Sequence, residues 1–203
     1  MTFSTHSSGY RVGAATVTTD GEPGTLCALV VDPATRTVTH LAVEPRHRHH
    51  RARLVPTAIA TAEPAGDVRI ACDGEGFERL DEFEQLDVID LGPYEPYGLY
   101  GPYVYDGIGG VAGGLHQLAM WTDRAPDGEA ALRHGTAVYV GDDAVGHVDG
   151  LLAGPDGRIT AVLVVSGHLW ARRTVAVPVD AVTEIGAYGL TIAGSWDQLR
   201  RRS

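Results

Sequence analysis

The sequence predicts an all-β protein made of two small antiparallel barrels joined by an acidic, Tyr/Pro/Gly-rich connector. Three observations predict it. Residues 13–80 return, recognisably, 122 positions later, so one small unit is present twice through internal duplication. Within each unit, short apolar runs alternate with Gly, Pro and Asp turns, the pattern of a small sandwich or barrel. Between the units, the Pro and Gly content after Gly92 forbids a stable helix.

The repeat runs from Gly13 to Gly24 over Gly135 to Gly146 without a gap, and places Leu29 on Leu151 and Pro33 on Pro155. One residue then drops out, so that residues 38–43 match 159–164. Pro56 meets Pro178, and Phe77-Glu-Arg-Leu80 meets Trp196-Asp-Gln-Leu199. The expected domains are a first barrel over 10–80, a connector over 81–131 and a second barrel over 132–203. Each copy is expected to bury equivalent side chains around its own hydrophobic centre, and units this small gain from packing against each other or a partner.

Strands are expected near 14–18, 25–31, 37–43, 53–55 and 68–71. Their counterparts fall near 137–140, 146–152, 159–165, 174–177 and 190–193. Asp20-Gly21 and Asp156-Gly157 are turn dipeptides, the latter lying between two apolar runs as a hairpin requires. The near-continuous apolar runs 26–31 and 162–165 fit strands covered on both faces. A short buried helix has the same pattern, and the flanking Gly and Pro and the many Val favour strand. In the connector, Phe77, Leu80, Phe83 and Leu86 recur every third residue among acids, as a short amphipathic helix or as a strap lying on the barrel. Tyr94, Tyr97, Tyr100 and Tyr103 then line one edge of an extended, polyproline-type strand.

Charge narrows the function classes. The net charge is −10, and residues 73–106, with Arg79 alone against ten acids, hold −9 of it. That segment repels nucleic acid, which counts against a duplex-binding protein. The opening Met-Thr-Phe-Ser-Thr-His-Ser-Ser has neither the cationic start nor the apolar core of a signal peptide. No run approaches 18 apolar residues. A cytoplasmic protein without membrane insertion is expected, with Cys27 and Cys72 as buried free thiols. The absence of Lys and Asn fits a GC-rich bacterial genome.

The stretches 24–56 and 145–178, with Leu-Val-Val-Asp-Pro, Val-Thr-His-Leu-Ala-Val and Leu-Val-Pro in the first, resemble the PRC-barrel superfamily. The second carries Val-Gly-His-Val-Asp-Gly-Leu-Leu, Arg-Ile-Thr-Ala-Val-Leu-Val-Val, Gly-His-Leu-Trp and Val-Ala-Val-Pro. The superfamily includes the cytoplasmic domain of the photosynthetic reaction-centre H subunit and the C-terminal domain of the ribosome maturation factor. The chain is most similar to tandem versions found in GC-rich bacteria. The resemblance implies a small, mainly antiparallel barrel used to contact other macromolecules. Analogy with the H subunit calls for a membrane helix, and analogy with the ribosome factor for a distinct RNA-associated barrel in place of a second copy. Neither specific function is carried over.

The candidate partner-binding residues lie on two loops and the connector. His47, Arg51 and Arg53 belong to Arg46-His-Arg-His-His-Arg-Ala-Arg53, whose counterpart holds His168, Trp170, Arg172 and Arg173. Arginine offers paired donors to carboxylates or phosphates, and these loops are placed to meet the acidic connector or an acidic partner. Neighbouring Arg charges oppose a cation, so no metal is assigned to the histidines. Trp170 reads as an interaction anchor or a barrel cap. Tyr94, Tyr97, Tyr100 and Tyr103 read as a docking strip or as rings fastening the barrels together. His40 and Tyr139 read as packing or surface residues, and Asp142, Asp143 and Asp149 as turn residues. G-x-S-x-G, phosphate-loop, C-x-x-C and H-E-x-x-H patterns are missing. The expected function is a non-catalytic binding or scaffold protein with a protein partner, no catalytic residues and no cofactor. Association with ribosome or RNA, self-association as a structural homo-oligomer, and metal or redox sensing are the alternatives.

Overall fold

The computed structural model describes residues 8–46, 51–64, 66–93, 115–167, 172–186 and 189–202. The chain is all-β. It divides into a unit made of Met1–Glu84 with Asp123–Ser203, and a second unit, Gln85–Thr122.

The first unit opens with β1 (Ser8–Arg11). Then come β2 (Ala15–Val17), β3 (Pro23–Asp32), β4 (Thr37–Pro45), β5 (Arg53–Pro56), β6 (Ala60–Ala62) and β7 (Val68–Ile70). The last six form a curled sheet in the order β5-β4-β3-β2-β7-β6. Neighbours are antiparallel except β2 and β7, which run parallel with Thr16 opposite Val68. Strand β3 is covered on both faces, as its apolar run predicts. A register shift between Leu26 and Ala28 places Cys27 at a bulge. Leu26, Leu29 and Val31 therefore enter one hydrophobic cluster, while Ala28 and Val30 enter another with Ala42, Leu54 and Phe83.

Helix α1 (Gly74–Glu78) follows, capped by the Asp73 carboxylate, which accepts from the Gly76 N–H. Beyond it the chain lies along the outer edge of β5. Leu54 N–H donates to Asp81 O at 2.8 Å, and Phe83 N–H donates to Ala52 O at 2.8 Å. Both readings of the Phe77–Leu86 spacing are thus realised in part, a short helix under Phe77 and then a strap that pairs the open edge of the sheet.

The second unit is a two-stranded ribbon of β8 (Glu84–Pro93) and β9 (Leu115–Asp123), which pair with each other. Strand β8 starts one residue before the unit and β9 ends one residue after it. Here Thr122 Oγ1 donates to Asp87 Oδ2 at 2.5 Å, and Leu86 is exposed.

Back in the first unit, β10 (Ala130–Arg133) precedes β11 (Ala137–Val140), β12 (Asp143–Ala153), β13 (Ile159–Ser166), β14 (Arg173–Pro178), β15 (Val182–Gly186) and β16 (Gly189–Ile192), with α2 (Trp196–Arg202) last. The last six strands form a second curled sheet, β14-β13-β12-β11-β16-β15. Its one parallel pair is β11 with β16. β12 also carries a register shift, between Val148 and Gly150.

The two sheets trade their leading strands. β1 pairs with β12, placing Tyr10 opposite Leu151, and β10 pairs with β3, placing Leu132 opposite Leu29. The β3–β4 and β12–β13 turns also meet. Val38 N–H donates to Gly157 O at 3.1 Å, Ile159 N–H donates to Arg36 O at 2.9 Å, and Thr37 bridges Arg158. Arg36 and Gly157 both take left-handed backbone, at φ of 55° and 77°. Glycine holds that conformation without cost, whereas Arg36 is further fixed by its Nη1, which donates to Val179 O at 3.1 Å.

This exchange corrects the expectation of separate hydrophobic centres. One cluster contains Leu26, Leu29 and Leu41 of the first sheet, Leu151, Val162 and Leu190 of the second, and both Tyr10 and Leu132. Each fully buried Leu contributes roughly 1.5–3 kcal/mol by removal from water. No helix among the described residues is long and apolar enough to cross a membrane.

Candidate functional site

Of the residues singled out from sequence, His47, Tyr94, Tyr97, Tyr100, Tyr103, His168 and Trp170 lie outside the described residues. Arg51, Arg53, Arg172 and Arg173 lie within them and divide sharply. Arg53, on β5, has a side chain only 11% exposed. Its Nη1 donates to Leu80 O at 3.0 Å and stands 3.3 Å from Glu82, and its Nη2 stands 3.4 Å from Glu78. Its donors go to the acidic segment of its own chain, the intramolecular alternative that the charge pattern offered. Arg51, Arg172 and Arg173 are exposed. Arg51 lies two residues ahead of the start of β5, and Arg173 opens β14 opposite Ser166; the two are related by the 122-residue offset of the sequence.

The tightest charged cluster was not singled out from sequence. Arg133, at the end of β10, binds Asp123 through Nε at 2.7 Å and Nη2 at 2.5 Å, and Glu84 through Nη2 at 2.7 Å. Its guanidinium carbon also lies 5.1 Å from the centre of the Phe83 ring, which is wholly buried. Charge-assisted, bidentate bonds of this kind are strong, and ring stacking adds to them. The Asp123 hydrogen bonds hold the Arg133 pKa above its ordinary value, against the opposing effect of burial. The sequence does carry one signal for this residue: Arg133 stands 122 positions after Arg11, the last residue of β1. Its two carboxylates lie on chain segments that nothing in the local pattern connects.

A second cluster joins β4 to the approach of β10. Thr39 Oγ1 donates to Glu129 Oε2 at 2.5 Å, and the same oxygen lies 3.7 Å from His40 Nδ1. Cys27 is close to the Arg133 group in electrostatic reach. Burial pushes its thiol up to about 12, and its Sγ donates to Ala42 O at 3.2 Å. Burial of this kind keeps the thiol protonated at neutral pH in the absence of a metal ion. Cys72 is also free, and burial raises its pKa too. Tyr139 packs against Gly189. Among the described residues no group of three His, Cys, Asp or Glu is placed to hold a metal ion.

A small open cleft with a cavity volume of about 40 Å³ lies at the β2–β3 end of the first sheet. Thr16, Thr18, Glu22 and Glu78 supply its polar lining, and Pro23, Pro45, Val43, Ile70 and Phe77 its apolar lining. Thr18 Oγ1 donates to Asp20 Oδ1 at 2.6 Å and accepts from the Glu22 N–H at 3.0 Å. That bond to Thr18, followed by one from the Gly74 N–H, holds the Asp20 carboxyl below its ordinary range. Chemically, these clusters pair guanidinium or hydroxyl donors with carboxylates. They fasten strands to one another and leave cationic and anionic groups on the surface.

Comparison with protein-family models, with curated proteins and with solved structures finds no match for this chain.

Proposed function

We propose that the chain is a non-catalytic binding and scaffold protein of the cytoplasm, whose two sheets are PRC-type barrels descended from one duplicated module. The observation that carries the duplication is the reciprocal exchange of leading strands. Leu29 faces Leu132 and Leu151 faces Tyr10, and each of these pairings maps onto the other through the offset of 122 residues seen in the sequence. An exchange of this kind ties the two sheets together over a shared core. The scaffold role is supported by what the two sheets leave on their surface: Arg51 and Arg173, both exposed. Two exposed guanidinium groups suit a partner that presents acidic groups. Surface complementarity is the mechanism, with no bond made or broken.

Affinity capture with chemical cross-linking from native lysate tests this, comparing the natural chain with an Arg51→Glu/Arg173→Glu variant. A partner enriched on the natural chain and reduced at least tenfold on the variant is expected. Equal capture by both, or no specific partner together with turnover of a metabolite, overturns the proposal.

A further inference from the structure

We propose that the outer edge of β5 is a strand-addition site for a partner segment that carries an aromatic residue between acidic ones. The chain's own Asp81-Glu82-Phe83-Glu84 occupies that site as a resident ligand, which the partner displaces. That the displacing segment belongs to a protein rests on the scaffold reading above. The chemistry rests on the contacts that residues 81–84 make.

A pocket for the ring is written into the first sheet. On the face that carries the smaller hydrophobic cluster, Ala28 lies opposite Ala42 and Ala42 opposite Leu54. Their short side chains leave room, and the Phe83 ring fills it at 0% exposure, against Val30 and Ala52 as well. The second sheet keeps the same register, with Gly150 opposite Leu163 and Leu163 opposite Ala176. There Leu152 stands for Val30, and Leu163, 7% exposed, stands for Ala42. Protein interiors are close-packed, so volume that side chains of the second sheet supply must come to the first from an added ring.

The contacts around the ring form a code for a strand. Leu54 N–H donates to Asp81 O and, two residues along, Phe83 N–H donates to Ala52 O, both at 2.8 Å. Main-chain bonds of this kind hold an added strand whatever its sequence, and pockets for its alternate side chains select which strand it is. Arg53 Nη1 stands 3.3 Å from the Glu82 carboxylate before the ring, and Arg133 Nη2 2.7 Å from the Glu84 carboxylate after it. The Arg133 guanidinium carbon lies 5.1 Å from the ring centre, which favours an aromatic side chain over an aliphatic one of similar size.

The resident segment is placed to give way. Asp81 and Glu82 are exposed. The segment runs from beyond the five-residue helix α1 to the separate unit that begins at Gln85. Short outer segments open at lower free energy than the strands they cover. A partner strand with the same code replaces each bond that it breaks, so its concentration decides how far it displaces the tethered occupant.

Two measurements on the full chain test this. In native-state hydrogen exchange of the natural chain, the Leu54 and Phe83 amides are expected to exchange at least tenfold faster than the amides of β4. Equal protection would mean that residues 81–84 leave only when the whole sheet unfolds, and overturns the proposal without any substitution. The second measurement is an amide NMR titration of a Phe83→Ala variant, or of Phe83→Leu if the first does not fold. The probe is the hexapeptide acetyl-Leu-Asp-Glu-Phe-Glu-Gln-amide. Saturable shifts centred on Ala28, Ala42 and Leu54 are expected, with binding at least tenfold weaker to the natural chain, where the resident ring competes. The same peptide with Ala for Phe should also bind at least tenfold more weakly. No saturable binding, or equal binding of the two peptides, overturns the site. A concentration-dependent dimer of the natural chain in light scattering would make the occupant a second copy exchanging residues 81–84, and overturns the partner assignment. None of these outcomes touches the scaffold proposal, which the Arg51 and Arg173 capture experiment decides separately.

Discussion

Where the first half of the chain carries Thr16, Thr18 and Glu22, the second carries Val138, Val140 and Ala144. Where the first buries Arg53 against Glu78, Glu82 and a main-chain carbonyl, the second places Val175, 3% exposed, in the common core. Yet the strand order, the parallel pair, the bulges on β3 and β12 and the exchanged leading strands are the same in both. Shared main-chain pairing and shared large apolar residues specify the sheet. The polar substitutions ride on it, and they run in both directions: Asp149 stands where the first half has Cys27, and Glu184 where it has Ala62.

The comparison breaks most visibly if the two frameworks are not one cooperative body. Leu29→Ala and Leu151→Ala remove side chains of 0% exposure at equivalent places in a single cluster. Each is expected to cost about 2–5 kcal/mol. Urea unfolding followed by hydrogen exchange should show amides of both sheets losing protection together in either variant. Independent loss in the mutated half alone would mean two cores rather than one.

A smaller effect sharpens the comparison of the exchanged strands. Arg133 and Arg11 end β10 and β1, but Arg133 binds Glu84, whose side chain is 8% exposed, whereas Arg11 is exposed. Arg133→Ala is expected to destabilise by roughly 1–3 kcal/mol, because it strips bonds from a nearly buried carboxylate. Arg11→Ala should stay within about 0.5 kcal/mol, as surface changes do. Thermal melts of the two variants at equal ionic strength compare them directly, and equal losses would deny Arg133 its bridging role.

What could be read in advance follows from what is local. The five expected strands of each half fall on observed strands because Val-rich runs bounded by Gly, Pro and Asp report on their own backbone. β1 and β10 escaped because four residues such as Ser8-Gly-Tyr-Arg11 carry no period, and their partners, Leu151 for Tyr10 and Leu29 for Leu132, lie far away in the chain. The short β6 and β15 escaped for the first of these reasons. Among site residues, Arg53 was singled out because it belongs to a dense Arg/His run, and its acidic neighbours were visible as a charge block. Arg133 was not, since its counter-charges sit on two separate segments. The cleft was equally hidden. Thr16 looks like any strand threonine until Gly24 is known to face it.

Alkaline pH separates the halves at their bulges, Cys27 on β3 against Asp149 on β12. Burial lifts the Cys27 pKa from 9.0 to about 12, so between those values the unfolded chain loses a proton that the folded chain keeps. The stability tied to this thiol is fully present below pH 9.0 and falls as pH rises toward about 12. Urea midpoints of the natural chain should therefore decline more steeply over that window than those of Cys27→Ala. Parallel curves would show that the thiol is not shielded.

The finest difference is a single hydroxyl. Thr18 is the largest cause of the lowered Asp20 pKa, followed by the Gly74 N–H, and the second half has Val140 in its place. Because the folded value is depressed, the associated stability is present above the unfolded pKa and is lost as pH falls through the folded one. Thr18→Val should move the Asp20 titration upward, toward the ordinary carboxylate value, in carbon-detected NMR of the side-chain carboxyls. Asp32, held low by Thr35 and the Ala34 N–H, should not move and serves as the internal reference. An unmoved Asp20 would mean that main-chain N–H groups, that of Gly74 first, set its acidity. The first half would then owe its anionic rim to helix α1, a contact that a valine at position 18 leaves intact, rather than to the hydroxyls on β2 and after it.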